Sequence, residues 1–590
     1  MSQYAIGIDL GTTNSALAWT SAAGVQLQPI PQLTAVNEIS SEPLLPSFLY
    51  IPGPADFPPG SVALPWNDNP RYVVGKLAQR RGAEVSSRLV SSAKSWLSYS
   101  AVDRTAAMLP IRAADGLQRI SPVDASAEYL KHLRAAWDHE HPTAPFIDQD
   151  ILVTVPASFD AIARELTQRA AEAAGYRNLT MLEEPQAAFY AWIERHPDWR
   201  LRVSKGDLVL VVDIGGGTTD FTLISVTERD GELELERVAV GEHILLGGDN
   251  IDLALAHTVS AELAAHGTKL DAFQLQTLWN NCRLAKEQLL HPDSPLDEVP
   301  VTILGKGSKL FGGAIKAVLR RDQIEQVLES FLPRVSSTDM PHGVRRAALQ
   351  EIGLPYAQDA AITRHLAKFL RQSAGGQLAC PTHVLFNGGV LHAPFVRNRI
   401  LEVLNSWLAE AGANPVQPLT GEDLMHAVAR GAAYYGAARR GEGVRIRGGI
   451  ARSYYVGVES AMPAVPGIPA PLKALTVAQF GIEEGTSTRI PNREFGLIVG
   501  QPAEFRFFCS ASRKDDAPGE LIEDFGDDLE ELSPVEVRLT SSNTTAEGRN
   551  SEIVPVSFET VITETGMLQL WCVARDGQRW KLEFNVRETV

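Results

Sequence analysis

Two short segments of this chain share one pattern, in which an apolar stretch leads to an aspartate and then to a turn of glycine and threonine. The first is IGIDLGTTNS at residues 6–15, and the second is VVDIGGGTTD at residues 211–220. Glycine lets the backbone approach a ligand closely, and the N–H groups of such turns bind phosphate. Because the pattern occurs twice, we predict one α/β fold used twice, with both loops facing a shared cleft. Such a cleft can hold a nucleoside triphosphate and its metal ion from two sides.

The aspartate of each segment is a candidate metal ligand. Asp9 and Asp213 both come at the end of a predicted strand. Mg²⁺ prefers a few carboxylates together with water and phosphate oxygens, so two facing aspartates predict a hydrated magnesium site. Two other glycine turns, Gly247-Gly248-Asp249 before a predicted helix and Gly388-Gly389 after a predicted strand, are also expected near the ligand. A helix N-terminus favours anions, and glycine permits close approach.

Length, charge and cysteine spacing restrict the class of protein. A chain of 590 residues exceeds one hydrophobic core, so two to four structural units are expected. Without an apolar run near the ~18 residues of a membrane span, and without a secretory signal at the start, we expect no membrane partner. The net charge of −17 argues against nucleic-acid binding. The four cysteines lack metal-ligand spacing, which favours reduced thiols in a cytoplasmic protein.

Residues 1–440 alternate strand-like and helix-like stretches. Continuous apolar strands are predicted at 151–155 and 208–212, as expected for a sheet that is covered on both faces. A helix rich in Ala, Glu, Gln and Arg is predicted from Ala161 to Ala174, ending at a glycine. Residues 250–290 and 320–375 are expected to be predominantly helical. The small side chains of 427–438 suit a closely packed helix.

The composition changes after residue 440. The glycine-flanked segment 441–449 is predicted to be a linker. Period-two alternation and Pro/Gly turns from 450 to 590 predict a β-sandwich. The clearest piece of this pattern is a hairpin with a turn at Asp576-Gly577. Its inward residues are Leu568, Leu570 and Cys572 on one strand, then Trp580, Leu582, Phe584 and Val586 on the other.

A series of motifs in this chain resembles the motifs of the 70-kDa heat-shock chaperone family, within the actin and sugar-kinase superfamily of ATPases. In chain order the motifs are IGIDLGTTNS at 6–15, VTVPASF at 153–159, LEEPQAAFYA at 182–191, VVDIGGGTTDFTL at 211–223, LLGGDNID at 245–252, FNGGVLHAP at 386–394 and AVARGAAYYGA at 427–437. The resemblance implies an actin-like duplicated two-lobe ATPase domain at 1–440 and a substrate- or partner-binding β-sandwich at 450–590. The family's helical lid is expected to be absent, because the chain stops at Val590 directly after the last predicted strand.

The resemblance also implies roles for individual residues. Asp9 and Asp213 match carboxylates that hold Mg²⁺ through water, and Lys94 and Glu184 match groups near the γ-phosphate and the attacking water. Pro156 and Arg164 match a relay between nucleotide state and the peptide-binding half. The remaining matches are nucleotide-contacting positions, with Thr218 and Asp220 also taking part in hydrolysis: Gly11, Thr12, Thr13, Asn14, Gly215, Gly216, Gly217, Thr218, Asp220, Gly247, Gly248, Asp249, Lys286, Gly388 and Gly389.

Three departures from the family pattern concern the adenosine clamp and the linker. Arg283 and Glu287 carry exchanged charges, so a salt bridge between them can survive while base and ribose contacts are lost, and Leu290 replaces a serine. Val390 and His392 replace a serine and an arginine that flank the purine. The linker 441–449 is basic, where the family has an acid-ended leucine run. The sequence does not decide whether this clamp keeps adenine specificity.

The function implied is an ATP-dependent chaperone with slow hydrolysis of Mg²⁺-ATP to ADP by direct attack of water. Its partners would be polypeptide clients and a co-chaperone. The alternative is an ATP-switched regulator or scaffold with one dedicated protein partner. A small-molecule kinase of the same superfamily is disfavoured by the β-rich region 450–590 and by the lack of a sugar-binding insertion.

Overall fold

The computed structural model describes most of the chain and divides it into two compact units. Unit 1 comprises Met1–Leu233 and Arg237–Arg445, and unit 2 comprises Glu234–Glu236 and Ile446–Val590. The described residues are 2–113, 116–229, 232–303, 314–343, 354, 356–421, 423–442, 450, 452–460, 471–483, 485–491, 493–510, 513–523, 528–532, 535–539 and 552–585. Most of the predicted linker 441–449 lies outside them, so the linker and the predicted domain limits stay predictions.

The first unit is mixed α/β. Its strands are β1 Ala5–Leu10, β2 Asn14–Ser21, β3 Gly24–Leu27, β4 Ile30–Ala35, β5 Glu38–Glu42, β6 Leu45–Pro46, β7 Leu49–Tyr50, β8 Val73–Val74, β9 Leu89–Val90, β10 Asp150–Val155, β11 Leu179–Glu183, β12 Leu208–Ile214, β13 Thr219–Arg229, β14 Glu232–Val240, β15 Glu298–Ile303, β16 Ile315–Arg320, β17 His383–Asn387 and β18 Gln417–Leu419. Its helices are α1 Lys76–Glu84, α2 Ala93–Leu97, α3 Pro122–Glu140, α4 Ala161–Ala173, α5 Glu184–Arg195, α6 Gly248–Ala265, α7 Ala272–Leu290, α8 Arg321–Phe331, α9 Ile362–Gln372, α10 Pro394–Glu410 and α11 Ala427–Arg439, with 3-10 turns at Ser86–Arg88, Phe146–Asp148, Trp199–Leu201 and Gly389–His392.

The same sheet occurs twice in this unit, as the repeated motif predicted. The first sheet has the order β11-β10-β1-β2-β3, and the second has the order β18-β17-β12-β13-β14. In each, the strand that delivers the aspartate pairs antiparallel with the next strand and parallel with a later one. Each sheet belongs to its own buried core. The loops that follow Asp9 and Asp213, which we call the Asp-Gly loops, therefore occupy equivalent positions in two lobes.

Local sequence explains where several elements begin and pack. Helix α4 begins at Asp160, whose side chain accepts a hydrogen bond from Ala163 N at 2.6 Å, and the chain turns away at Gly175, where φ is +83°. Helix α11 lies close against β1 and α5. A Cβ added at Gly431 would meet the carbonyl oxygen of Ala187 at 1.7 Å, so the small residues of this helix permit the predicted close packing.

The prediction of a predominantly helical segment at 320–375 is wrong in part. Helices α8 and α9 are present, but the described residues between them (332–343, 354 and 356–361) contain no helix. Pro333 and Pro341 fall in this stretch, and proline removes a helix hydrogen bond and clashes with the preceding turn. The strands β15 and β16, which pair antiparallel, were not predicted.

The second unit is described as strands in three sheets. They are β19 Ser453–Glu459, β20 Leu472–Ala478, β21 Thr486–Arg489, β22 Phe495–Val499, β23 Pro502–Phe505, β24 Phe507–Ser510, β25 Leu521–Ile522, β26 Glu530–Glu531, β27 Val535–Arg538, β28 Glu552–Ile562, β29 Met567–Ala574 and β30 Arg579–Asn585. Two sheets have five strands each, β25-β20-β19-β24-β26 and β21-β28-β29-β30 with β22 also on β28, and β23 pairs with β27.

The two larger sheets of this unit share one buried core. Val456 and Leu475 come from one sheet, and Leu568 and Leu582 come from the other. The predicted hairpin is formed by β29 and β30, and Gly577 in its turn has φ of +89°. All four cysteines are free thiols. Within the described ranges, no helix is both long and apolar enough to cross a bilayer.

Candidate functional site

One cavity of the first unit collects most of the predicted site residues. Its volume is about 440 Å³. The predicted residues that line it are Asp9, Gly11, Thr12, Thr13, Asn14, Lys94, Glu184, Asp213, Gly215, Gly216, Thr218, Gly248, Asp249, Lys286, Gly388 and Gly389. Both Asp-Gly loops therefore face one cleft, with elements of both lobes around it. Gly217, Asp220, Gly247, Pro156 and Arg164 are not among its lining residues.

The two Asp-Gly loops touch across the cavity. A Cβ added at Gly216 would lie 1.7 Å from the Oγ1 of Thr13, and one added at Gly217 would lie 2.8 Å from the Cγ2 of Thr12. No larger residue fits between these loops without displacing the facing threonines. The glycines therefore allow the close approach that a phosphate-binding cleft needs.

The start of helix α6 differs from the sequence expectation. The N–H groups of Gly248 and Asp249 donate to the carbonyl oxygens of Gly215 and Gly216, at 3.1 and 2.7 Å. These donors hold the second Asp-Gly loop in place, so they are already used before any anion arrives. Helix α6 thus supports the loop, and the predicted ligand contact by Gly247, Gly248 and Asp249 stays a prediction.

Four charged side chains form what we call the catalytic cluster: Asp9, Lys94, Glu184 and Asp213. Lys94 lies in helix α2, is only 8% exposed and forms a short ion pair with Glu184, the first residue of α5. Lys94 is therefore not a solvent-exposed helix lysine. Asp213 accepts a hydrogen bond from the Nδ2 of Asn387 at 2.6 Å.

The carboxylates of the catalytic cluster repel one another. Burial, followed by the charge of Glu184, raises the pKa of Asp9 to about 7, although Lys94 acts to lower it. Burial and the charges of Glu184 and Asp220 raise the pKa of Asp213 well above its ordinary value. Three carboxylates share one lysine, so the cluster carries an excess of negative charge.

A hydrated magnesium ion fits this arrangement. The Oδ1 of Asn387 is buried and has no hydrogen-bond partner in the described structure, so it can accept from a metal-bound water. Asp9 and Asp213 provide two carboxylates, and Mg²⁺ usually takes one or two with water and phosphate oxygens. Among the described residues, no group of three or more His, Cys, Asp or Glu is arranged to hold a metal directly. Coordination through water, as the resemblance implies, agrees with both observations.

Asp220 lies behind the cavity in a cluster that the sequence did not indicate. The Oγ of Ser158 donates to Asp220 and also lies 2.8 Å from the Nδ1 of His243, which is 3.4 Å from Asp220 Oδ1. Although burial acts to raise the pKa of Asp220, the bonds from His243 and Ser158 and the charge of His243 lower it overall. The three residues are far apart in the chain, and only the fold brings them together.

The predicted relay residue Arg164 is buried next to the start of α5. Its Nη2 donates to the carbonyl oxygen of Ala157 at 2.9 Å and to Glu183 at 3.3 Å. Arg237 of β14 also donates to Glu183, at 2.5 Å. Glu183 directly precedes Glu184 of the catalytic cluster. The structure thus connects α4 and β14 to that cluster through one buried carboxylate, whereas Pro156 is a buried residue just after β10.

The cavity is lined by a second charged group, which we call the clamp cluster: Asp249, Asp252, Arg283 and Lys286. Arg283 bonds Asp249 at 2.5 Å and Asp252 at 3.0 Å, and Lys286 lies 2.6 Å from Asp252. The salt bridge expected between Arg283 and Glu287 is not among the ion pairs described. Arg283 pairs instead with Asp249 and Asp252 of helix α6. Glu287 and Leu290 line the cavity nearby, as do His291, Val390 and His392.

A family model and individual relatives identify the same family for this chain. A model of the family described as Hsp70 protein matches residues 5–351, more than half of the chain. A chaperone protein HscA homolog of Bordetella pertussis is 30% identical over 365 residues, or 60% of this chain and 50% of that protein. The homolog of Azotobacter vinelandii is 27% identical over 455 residues, which cover 75% and 59%. The homolog of Pseudomonas paraeruginosa is 31% identical over 336 residues, which cover 56% and 47%. The chain thus spans about half the length of these relatives.

Proposed function

The chain belongs to the Hsp70 family, and on that premise we propose that it is an ATP-dependent chaperone that binds and slowly hydrolyses Mg²⁺-ATP in the cavity. The observation that carries this proposal is the catalytic cluster. A buried lysine paired with a carboxylate lies beside two further carboxylates, at the point where two glycine-threonine loops meet. That arrangement combines phosphate-binding loops with charges that can act on the γ-phosphate.

The residues divide the work of hydrolysis between them. Thr12, Thr13 and the loop from Gly215 to Thr218 would hold the phosphates through hydroxyl and N–H groups. Asp9 and Asp213 would hold Mg²⁺ through water, and the ion, when bound, offsets phosphate charge. Lys94 would offset the charge that develops on the γ-phosphoryl group.

The reaction itself is a direct displacement by water. Glu184 accepts a hydrogen bond from the attacking water and fixes its direction. The water oxygen forms the new bond to phosphorus and gives up one proton to the solvent, the bond to the bridging oxygen breaks, and ADP leaves with the electron pair. We propose slow turnover because no arginine among the described lining residues is free to stabilise the transferred group: Arg283 is already held by two aspartates.

For the second unit we propose a β-sandwich, residues 450–590, that binds polypeptide. The shared core of its two larger sheets supports the sandwich, and the similarity to proteins named as chaperone protein HscA homologs supports the activity. The loop 459–463 would form part of the candidate groove. Residues 461–463 of this loop lie outside the described part of the chain. We propose residues 441–449 as the linker and a co-chaperone as a further partner. The Arg164–Glu183 contact and Pro156 would form the relay to this unit.

The test compares ATP turnover of the wild type with that of Lys94→Ala. Loss of one charge partner of the transition state typically costs 10²-fold or more, so we expect at least about a 10²-fold lower rate with ATP binding retained. Lys368→Ala removes a partly buried lysine that pairs with the exposed Glu242 away from the cavity lining, and it serves as the control, with turnover unchanged. A Lys94→Ala protein as fast as the wild type would remove Lys94 from the mechanism.

A second arm of the same experiment identifies what the protein binds. Asp213→Asn is expected to retain nucleotide while slowing hydrolysis, so it prolongs one nucleotide state during a pull-down. Many heterogeneous polypeptides, released differently in ATP and ADP, are the expected result. One stoichiometric protein would instead support the dedicated regulator, and equal recovery in both nucleotides would contradict the relay. Arg164→Ala is expected to weaken the nucleotide dependence without lowering ATP turnover by more than about 3-fold.

A further inference from the structure

Ser92 has a backbone conformation that serine rarely adopts. Among the described residues, Asn37 and Ser92 are the two non-glycine positions with positive φ, and Ser92 has φ of +55° and ψ of +30°. Asparagine is enriched in this left-handed region, whereas serine is not. Asn37 is exposed, but Ser92 begins helix α2, which carries Lys94 of the catalytic cluster. Rare backbone conformations persist where the surrounding structure enforces them, and they are frequent at functional sites.

The side chain of Ser92 does not cap the helix that it begins. A serine before the first helical residue usually accepts a hydrogen bond from an N–H group of the first turn. Ser92 makes no such bond in the described structure, and its Oγ donates instead to the Oδ2 of Asp249, at 3.4 Å. Its carbonyl oxygen accepts from the N–H of Trp96 at 3.3 Å. The turn at Ser92 therefore sets the direction in which α2 leaves.

The bond between Ser92 and Asp249 joins the two lobes of the first unit. Trp96 of helix α2 belongs to the buried core of the first sheet. Ile251 of helix α6 belongs to the buried core of the second sheet. A change in the separation of the lobes would therefore stretch or break this hydrogen bond.

Asp249 is a fixed anchor for this bond. Its Oδ1 accepts from Arg283 at 2.5 Å, its N–H donates to the carbonyl oxygen of Gly216 at 2.7 Å, and its carbonyl oxygen accepts from the Nε1 of Trp279 at 3.2 Å. These partners leave the carboxylate little freedom to follow Ser92 if helix α2 moves. The clamp cluster thus holds the acceptor in place, and the start of α2 is held against it.

We propose that Ser92 is a positioning residue for ATP hydrolysis, because its bond to Asp249 across the cleft holds the turn that places Lys94 beside the γ-phosphate. This inference rests on the proposed ATPase function and adds closure of the two lobes as a control on its rate. Lys94 is two residues beyond Ser92. On its other side, the Oγ of Ser95 would lie 3.2 Å from a Cβ added at Gly217 of the second Asp-Gly loop. Lys94 is therefore flanked by two contacts with the second lobe.

The ion pair with Glu184 does not by itself place Lys94 relative to both lobes. Glu184 begins α5, which follows β11 of the first sheet, so both partners of this pair belong to the first lobe. The bound phosphates are proposed to contact loops of both lobes, and Ser92 provides the connection from α2 to the second one. Displacement of a catalytic group by about 1 Å can lower turnover by about 10²-fold.

The experiment compares the single-turnover rate of hydrolysis of bound Mg²⁺-ATP with the affinity for ATP measured by calorimetry. Ser92→Gly removes the hydroxyl while the left-handed conformation stays accessible. We expect hydrolysis about 10-fold slower than in the wild type, with affinity within about 3-fold. Ser92→Asn should remain within about 3-fold of the wild type in both, because asparagine tolerates this conformation and its amide can donate to Asp249.

Two further variants complete the comparison. Ser92→Asp has nearly the same shape as Ser92→Asn but sets a second carboxylate against Asp249, so it should be at least as slow as Ser92→Gly. Asn37→Gly is the matched control, because it makes the same kind of change at the other positive-φ position. Asn37 is exposed and is not among the residues that line the cavity, so rate and affinity should be unchanged.

The outcomes separate this role from the underlying function. A Ser92→Gly protein that hydrolyses ATP at the wild-type rate, or a Ser92→Asp protein as fast as Ser92→Asn, would overturn the positioning role. So would a loss of ATP affinity in Ser92→Gly as large as its loss of rate, since Ser92 would then act in binding. Thermal unfolding shows which variants fold, and the Gly and Asn variants decide the matter if Ser92→Asp does not. A wild type that binds no Mg²⁺-ATP would contradict the proposed function as well.

Discussion

The two charged groups in the cavity use the same residue types to opposite effect. In the catalytic cluster three carboxylates share one lysine, and burial and mutual repulsion raise the pKa of Asp9 and Asp213. In the clamp cluster two aspartates, Asp249 and Asp252, meet two cations at 2.5 to 3.0 Å. One group is short of positive charge and the other is balanced.

The difference in charge balance suggests that the catalytic cluster is arranged to bind a cation, whereas the clamp cluster is already neutralised by its own side chains. A buried charge that is paired is offset by its partner. A buried negative charge without a partner destabilises the protein until a cation binds. The excess charge of the catalytic cluster is therefore what a divalent ion can relieve. The clamp cluster has no such need, and its arginine is unavailable for a nucleotide.

The largest expected effect comes from unbalancing the clamp cluster. Arg283→Ala would leave Asp249 and Asp252 buried with Lys286 as the remaining cation of the cluster. Breaking a buried pair by removing one partner typically costs about 3–5 kcal/mol, because the other charge stays uncompensated. We expect the free energy of unfolding, measured by urea titration of the metal-free protein, to fall by that amount.

Two further variants show whether the loss of charge balance causes the lower stability of Arg283→Ala. Arg283→Ala combined with Asp249→Asn should recover part of the lost stability, since fewer buried charges remain unpaired. Arg320→Ala, whose side chain is 47% exposed and contacts Asp322 at 3.4 Å, should cost no more than about 1 kcal/mol. If the double variant is no more stable than Arg283→Ala alone, the clamp cluster does not depend on charge balance.

The next largest effect is a gain in the free energy of unfolding, and it is expected for a substitution in the catalytic cluster. The pKa of Asp9 is about 7 in the folded protein against an ordinary 3.8, so the folded state holds a proton that the unfolded chain releases between these values. Stability from this group is present below pH 3.8 and is lost as pH rises through 7. Asp9→Asn cannot ionise. Without metal and nucleotide, it should unfold like the wild type near pH 4 and be more stable by about 3 kcal/mol at pH 8.

The control for Asp9→Asn is the corresponding change in the clamp cluster. Asp252→Asn would remove a carboxylate that already pairs with Arg283 and Lys286, so it should destabilise the protein at both pH values. Unfolding titrations at several pH values in a chelator measure both variants. A stability difference for Asp9→Asn that does not change with pH would remove the raised pKa as its cause.

Local patterns in the sequence were sufficient for the parts of the fold that depend on a few consecutive residues. The strands that end at Asp9 and Asp213, the cap of α4 at Asp160 and the turn at Gly577 each follow from short-range chemistry. The helical prediction for the described residues between α8 and α9 was wrong, because prolines in this stretch outweighed the helix-forming residues around them. Strands β15 and β16 stabilise each other by pairing, which single-segment propensity does not show.

The positions of the Asp-Gly loops in the cavity were predicted better than the ion pairs of the clamp cluster, for the same reason. The Asp-Gly loops carry their chemistry within about ten residues, and the duplication places them opposite each other. Arg283 instead pairs with Asp249 and Asp252 of the preceding helix, whereas its position in α7 suggested Glu287, four residues away. Spacing along one helix does not reveal a partner that tertiary packing supplies.

The smallest effect predicted tests a residue behind the catalytic cluster. His243 lies 2.8 Å from the Oγ of Ser158 and 3.4 Å from Asp220, and Phe159 packs edge-on against its ring. Together with Ser158 it orients Asp220 and keeps the pKa of that carboxyl low, so we regard it as a positioning residue. His243→Asn should lower the rate of hydrolysis at saturating ATP by about 10-fold, because misplacement of a supporting group typically reduces turnover by 10- to 100-fold.

A positioning role and a merely structural role give different results in this experiment. If His243 acts through Asp220, the affinity for ATP stays within about 2-fold of the wild type, and Ser158→Ala combined with His243→Asn costs less than the sum of the two single changes. His257→Asn on helix α6 is the matched control and should leave both constants unchanged. A His243→Asn protein that loses ATP affinity and thermal stability together, with additive effects of Ser158→Ala, would show that the cluster supports the fold alone. His243 and Ser158 would then have no part in hydrolysis.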